Sequence, residues 1–205
     1  MQNCKMNTEN LIALVGFAFV TSVTPGPNNM MLLASGANFG FRRTIPHMLG
    51  ISIGHLVMTV IVGLGLAGLV HQEPRVLVVL KWVSVAYLLW LAYKLATAAA
   101  PEGASGQGRP MTFLGAAAFQ WVNPKAWTMS LGAVAAYAPD ATPLNVAVIA
   151  AVFAAVNLPS VSVWTIAGEQ VRRFLTSPAR LRAFNWTMAG LLVLSLWPVI
   201  AHQGA

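Results

Sequence analysis

Between Glu9 and Arg42 the chain carries no residue that is ionised at neutral pH, and between Arg43 and Glu73 it carries only His47, His55 and His71. The stretch after Arg182 is likewise uncharged apart from His202. Such runs limit the possible folds more than any other feature, because about 20 mostly apolar residues are enough for a helix to cross a bilayer. Only 8% of the residues are charged and the mean hydropathy is +0.68, whereas soluble domains carry roughly a quarter charged residues. The chain is read as an integral membrane protein.

Six apolar runs are visible, at about residues 10–36, 44–70, 76–98, 111–137, 143–167 and 183–201. The first is too long for the apolar core of a secretory signal and is read as a retained helix. Connections are short except at 99–110, a Gly/Ser/Pro-rich linker, and at 168–182. The expected architecture is all-α: one transmembrane domain over residues 1–205, with six transmembrane helices. The linker divides it into halves of three spans each, at about 1–98 and 111–205.

The net charge of +7 raises the possibility of nucleic-acid binding, but the charges are placed as topology signals. Loops after the first, third and fifth runs hold Arg42, Arg43, Lys94, Arg109, Arg172, Arg173, Arg180 and Arg182. The opposite side holds Lys5, Arg75 and Lys81. The positive-inside rule puts the richer side in the cytoplasm and both termini outside. No nucleic-acid partner is expected. The single Cys4 allows neither an internal disulfide framework nor a dithiol relay. His47 and His55 are not at metal-ligand spacing, no HExxH is present, and neither a metal nor another cofactor is expected.

With three spans per half, the first and fourth runs cross in opposite directions, giving two inverted three-helix repeats. An offset of 97 residues carries Pro27 onto Pro124 and Pro46 onto Pro143. Both first spans are interrupted at corresponding places, by Pro25-Gly26-Pro27-Asn28-Asn29 and by Asn123-Pro124-Lys125. Paired interruptions in inverted halves point to a transporter's binding site. A proline inside a spanning helix frees carbonyls before it, which attract an ammonium, and restarts a half-helix whose positive end attracts a carboxylate. An amino-acid zwitterion carries both groups. In this reading Gly26 lets backbone approach a ligand, while Asn28 and Asn29 each offer a donor and an acceptor.

Lys125 lies about 15 residues into its run, where a charge costs at least a few kcal/mol. Every carboxylate of the chain falls at a run's end or in a loop, so an anionic substrate group is the expected partner. Asn157 and Pro159 interrupt the fifth run in a similar style, and Asn157 joins the expected site. Gly50 and Gly54 form a GxxxG expected to pack helices. His55 could carry a proton, but an internally hydrogen-bonded side chain is expected.

The stretch TPGPNNMMLLASGANFGFRR, followed by Gly50 and Gly54, together with QWVNPKAW and WLAYKLATAAAP, resembles the LysE/RhtB family of bacterial amino-acid exporters. The likeness extends to its cysteine/O-acetylserine branch. The resemblance implies a multi-pass protein of the bacterial inner membrane that exports amino acids and is driven by the proton motive force. It implies no enzymatic activity, and its partners would be an amino-acid substrate and the lipid bilayer. Oligomeric state is open, a homo-oligomer being compatible. After Lys125 the chain departs from the family's usual aromatic-rich pattern, reading Thr128-Met129-Ser130-Leu131-Gly132, so substrate preference is not carried over. Without carboxylates in the spans, a cationic side chain would go unneutralised. Small neutral substrates of the cysteine, O-acetylserine, threonine or homoserine type are therefore expected. The alternative is a non-transporting membrane subunit, which would account for the glycines but not for Lys125.

Overall fold

The computed structural model describes residues 6–73, 75–98, 108–138, 140 and 142–201. Cys4, Lys5, His202 and most of the expected linker lie outside them. Every regular element among the described residues is helical. In chain order these are α1 (Thr8–Val23), α2 (Pro27–Phe39), α3 (Phe41–Ile61), α4 (Ala67–Gln72) and α5 (Arg75–Ala96). Then come α6 (Phe113–Phe119), α7 (Pro124–Tyr137), α8 (Pro143–Arg172), α9 (Pro178–Leu194) and α10 (Trp197–Ala201). A π turn at Val62–Leu66 joins α3 to α4, and a 3₁₀ turn at Gln120–Val122 ends α6.

Four segments are long and apolar enough to cross a membrane: Phe41–Leu66, Arg75–Ala96, Pro143–Arg172 and Pro178–Ala201. A fifth crossing is available if α1 and α2, bent by 54° at their junction, form one broken span. The run expected as a fourth span is helical but divided at Asn123-Pro124, and neither Phe113–Val122 nor the 14-residue α7 is long enough alone. The outer surface is apolar: Ile12, Phe19, Val79, Trp82, Leu114 and Leu194 are all exposed. Lipid in place of water as the outer solvent explains an exterior of this kind.

Two sequence expectations are corrected. Pro159 does not interrupt the fifth run; α8 continues through it for 30 residues, and Ser160 Oγ donates to the Val156 carbonyl at 2.8 Å beside it. The long loop expected at 168–182 is also mostly helix, because Gly168 is a packing position and not a helix end. A Cβ on Gly168 would fall on the Leu33 carbonyl oxygen, and one on Gly36 would fall on that of Thr165. The backbones of α2 and α8 therefore touch. Gly50 and Gly54 play the expected packing role, bringing α3 against Phe113, Ala116 and Ala117 of α6.

α8 is the central post, packed against α1, α2 and α3, while α5 and α9 pair beside it. Leu88, Leu91 and Ala92 of α5 meet Ala189 and Leu192 of α9 around Phe119 and Met31. Buried polar pairs pin helices across the bundle: Ser35–Thr44 and Thr59–Ser130, each 2.9 Å between hydroxyl oxygens, and Asn38 donating to Asn185 at 3.0 Å. At one end the turn at Gly40–Arg43 meets Glu169 and Arg172 of α8, and Arg43 Nη2 donates to the Gly108 carbonyl at 3.3 Å. Three of the arginine-bearing segments therefore converge.

The α2–α8 contact makes a direct prediction. Gly36→Val or Gly168→Val forces two backbones apart and is expected to cost about 1–3 kcal/mol or more. Gly190→Ala faces open space in α9 and should be neutral, or stabilising by up to ~1 kcal/mol. Thermal unfolding of the purified variants in detergent, monitored by size-exclusion chromatography, checks the contrast.

Candidate polar site at two interrupted helices

A helix that stops inside a membrane leaves its last carbonyls without amide partners, and no water is at hand to satisfy them. α1 stops at Val23. Thr24 N still donates to the Val20 carbonyl at 3.1 Å, but Pro25 and Pro27 have no amides, and the bend carries the following backbone away. Side chains take over. Thr24 Oγ1 donates to the Thr21 carbonyl at 3.1 Å. Asn29 Nδ2 donates to the carbonyls of Ser22 (2.8 Å) and Thr24 (2.7 Å). Trp164 Nε1, from α8, donates to the Val23 carbonyl at 3.0 Å.

Lys125 completes the set. Its Nζ lies 2.7 Å from the Thr24 carbonyl oxygen, 3.0 Å from Thr24 Oγ1 and 3.4 Å from the Pro25 carbonyl oxygen. All three ammonium protons thus have acceptors on the broken end of α1. The expectation that Lys125 lacks a partner for want of a carboxylate is corrected: carbonyl oxygens released by the prolines do the work. The role expected of Gly26 shifts as well. A Cβ there would lie 2.7 Å from Lys125 Cδ and 3.2 Å from Nζ, so in this structure the missing side chain makes room for the lysine.

The second interruption holds the lysine in place. Asn123 is extended, and its side chain caps α7 by accepting from Lys125 N at 3.1 Å; Pro124 occupies the first helical position, where a missing amide costs nothing. The two interruptions are tied together by a reciprocal amide pair: Asn28 Nδ2 donates to Gln120 Oε1 at 2.9 Å, and Gln120 Nε2 donates back to Asn28 Oδ1 at 3.3 Å.

Between these elements lies a polar cavity of about 20 Å³, room for about one water molecule. Six of the nine expected residues line it: Gly26, Asn28, Asn29, Asn123, Lys125 and Asn157. The other three, Pro25, Pro27 and Pro124, line a neighbouring open depression that shares Gly26 and Lys125. Lys125 thus stands between the two spaces. Asn157 is buried and accepts from Ser52 Oγ at 3.4 Å, so it reaches the cavity from an unbroken helix.

Sequence reasoning missed Thr21, Ser22 and Gln120, which also line the cavity, and took His55 as an internally hydrogen-bonded side chain. His55 Nε2 lies 3.3 Å from Ser130 Oγ, its Nδ1 has no partner, and its ring meets Phe153 edge-on at 4.9 Å between centroids. A usable signal existed: Thr21, Ser22 and Gln120 each sit within one helical turn of an interruption.

The arrangement offers acceptors for an ammonium at Thr24 and Pro25. For a carboxylate it offers one ammonium and the first turn of α2, whose amides carry partial positive charge and are capped by no side chain. The helices long and apolar enough to cross, under an apolar exterior, define a multi-pass membrane protein, with a small polar pocket between its two interrupted helices. The chain matches the profile of the LysE type translocator family over residues 19–200, and it belongs to that family. It is a transport protein and not an enzyme. It is 31% identical over 186 residues to a cysteine/O-acetylserine efflux protein of Escherichia coli strain K12, covering 89% of this chain and 93% of that one. A protein of the same description from Klebsiella pneumoniae is 29% identical over 183 residues, covering 88% and 92%. No solved structure matches the chain.

The carbonyl accounting predicts where stability resides. Asn29→Leu strands the Ser22 carbonyl and should cost about 1–3 kcal/mol, and Trp164→Phe, which strands that of Val23, should cost a similar amount. Gly26→Ala displaces only the flexible end of Lys125 and should unfold within a few degrees of the wild type. Thermal scans of the three variants in detergent check the order.

Proposed function

We propose that this protein exports small neutral amino acids from the cytoplasm across the bacterial inner membrane, driven by the proton motive force. Cysteine, O-acetylserine, threonine and homoserine are the substrate types in view. The observation that carries the reading is the Lys125 ammonium seated on the carbonyls of a broken helix beside a small polar cavity. The cavity must widen to admit a zwitterion, which brings one ammonium and one carboxylate. Its ammonium replaces that of Lys125 on the Thr24 and Pro25 oxygens, and its carboxylate pairs with the released Lys125 and the amides that start α2. Charge is conserved at each position, so no ion is left unpaired in a medium where that is costly.

Pro25, Gly26, Pro27, Asn28, Asn29, Asn123, Pro124, Lys125 and Asn157 form the site in this reading. The prolines and Asn123 shape the two interruptions; Gly26 leaves space beside them; the remaining polar groups face the ligand. A second cationic group on a substrate would meet no carboxylate among the cavity's lining residues, which favours neutral side chains. The names of the relatives, efflux proteins for cysteine and O-acetylserine, support the same class.

The six-span, two-repeat arrangement belongs to the same proposal. It takes α1–α2 as one crossing and α6–α7 as another. The packing of α3 on α6 and of α8 on α1 supports that arrangement, although α8 lies far more closely on α2 than α3 does on α7. The convergence of Arg42, Arg43, Gly108 and Arg172 at one end fits a single cytoplasmic face. Alkaline phosphatase fused after Ala205 is then expected to be active in the periplasm; an inactive fusion, paired with an active cytoplasmic reporter at the same point, would reverse the orientation.

The deciding experiment is uptake of labelled amino acids into energised inverted vesicles, with protein abundance measured on the same preparations. Neutral amino acids should accumulate, lysine should not, and an uncoupler should abolish accumulation. Lys125→Met should remove uptake per folded molecule, and Lys125→Arg should restore little, because a planar fork does not fit where a compact ammonium sits. Some thermal destabilisation of Lys125→Met is expected, since the Pro25 carbonyl loses its donor. Full uptake by well-folded Lys125→Met overturns the role given to this lysine.

A further inference from the structure

Two residues that line the cavity each carry a side-chain atom with no assigned work. Ser22 Oγ and His55 Nδ1 are buried without a hydrogen-bond partner, on residues only 5% and 2% exposed. Buried polar groups in native proteins are almost always paired, so an orphan calls for a ligand or another explanation. His47 has two orphan ring nitrogens, but it does not line this cavity. Ser22 and His55 come from different helices, α1 and α3, and line the same small space. Neither side chain takes part in holding Lys125 or in closing the broken end of α1.

We infer that Ser22 and His55 form a side-chain subsite, which selects substrates whose side chain carries a hydrogen-bonding group over those with an aliphatic one. The inference rests on the amino-acid transport proposed above and adds to it the residues that set side-chain preference. His55 is held ready for this task. Ser130 Oγ lies at its Nε2, Thr59 Oγ1 lies 2.9 Å from that same oxygen, and Phe153 packs against the ring. A hydrogen bond to one ring nitrogen fixes the tautomer and so decides whether the other nitrogen donates or accepts. The Ser22 hydroxyl can do either. Between them the pair matches a hydroxyl or a thiol, each of which is both donor and acceptor.

The selectivity follows from desolvation. An aliphatic side chain in this subsite leaves Ser22 Oγ and His55 Nδ1 as unpaired as they are now and excludes any water from them. A hydroxyl supplies the donor or acceptor that these groups lack. Sites built to hydrogen-bond a polar group reject an analogue that lacks it far more strongly than apolar pockets reject an extra methylene. The preference should be larger for a hydroxyl than for a thiol, whose S–H is a weak donor.

The test is uptake into energised inverted vesicles of two matched pairs: L-serine against L-alanine, and L-cysteine against L-2-aminobutyrate. The wild type is expected to favour serine over alanine by about tenfold or more, with a smaller factor for the second pair. In Ser22→Ala and in His55→Leu the serine-to-alanine ratio should fall severalfold, and in the double variant it should approach one. His55→Gln, which keeps a polar atom at the position, should retain part of the ratio. Equal uptake of serine and alanine by an active wild type overturns the subsite while leaving the exporter reading intact. So does a ratio unchanged in the double variant. A parallel loss of serine and alanine uptake in His55→Leu, with the protein still abundant, overturns it too and gives His55 a role in transport itself. If the wild type takes up no amino acid at all, the exporter reading fails and the subsite fails with it.

Discussion

The structure depends on one constraint: backbone carbonyls cannot be left bare where there is no water. Breaking α1 at Val23 releases a run of them, and from Val20 to Gly26 each finds a donor. Those donors come from Thr24 itself, Asn29 and Met30 across the break, Trp164 in α8 and Lys125 in α7. Much of the tertiary arrangement follows from this satisfaction. Trp164 must be close to Val23, so α8 must pass the break; Lys125 must reach Thr24, so the second interrupted helix must face the first. A lysine in the middle of a broken span would ordinarily be a liability in a membrane. Here it is one of the partners that makes the break tolerable.

The prolines show how much could be read in the sequence. Pro27, Pro124, Pro143 and Pro178 each occupy the first turn of a helix, and each follows a residue suited to a helix start: Gly26, Asn123, Thr142 and Ser177. The last three accept a hydrogen bond from an amide of the first turn. Pro46 and Pro159 follow Ile45 and Leu158, which cannot cap, and both lie inside uninterrupted helices. Pairing each proline with its preceding residue would have kept Pro159 out of the list of interruptions and placed the start of α9 at Pro178. At these six positions a proline starts a helix where a cap precedes it and is absorbed where none does, whereas Pro25, after Thr24, lies in the break and starts none.

What could not be read is who satisfies whom. Lys125 meets Thr24 across 101 residues of chain, Asn28 meets Gln120 across 92, and Trp164 meets Val23 across 141. No local pattern encodes pairings at such separations. Reasoning from carboxylates alone therefore leaves Lys125 without a partner, although the prolines that free its acceptors are plain in the sequence. The glycines misled in a similar way. Gly168 reads as the edge of a loop, yet the close approach of Leu33 makes it a packing position inside α8. The nearness of that backbone is a tertiary fact.

A polar network that closes a broken helix with side chains differs from an ordinary helical ladder in one respect that matters for transport. A ladder bond is lost only by unwinding, whereas a side-chain donor can be exchanged for another of the same kind without moving the backbone. The Thr24 carbonyl already has two donors, from Asn29 and from Lys125, and would keep one while the other leaves. The Pro25 carbonyl depends on Lys125 alone, so it is the group that demands a replacement cation when the lysine departs. A ligand that supplies an ammonium there and a carboxylate to the lysine makes the departure nearly neutral; a ligand with only one of the two groups leaves an uncompensated charge or a bare carbonyl. The need to satisfy a broken helix is thus also a means of recognising a zwitterion.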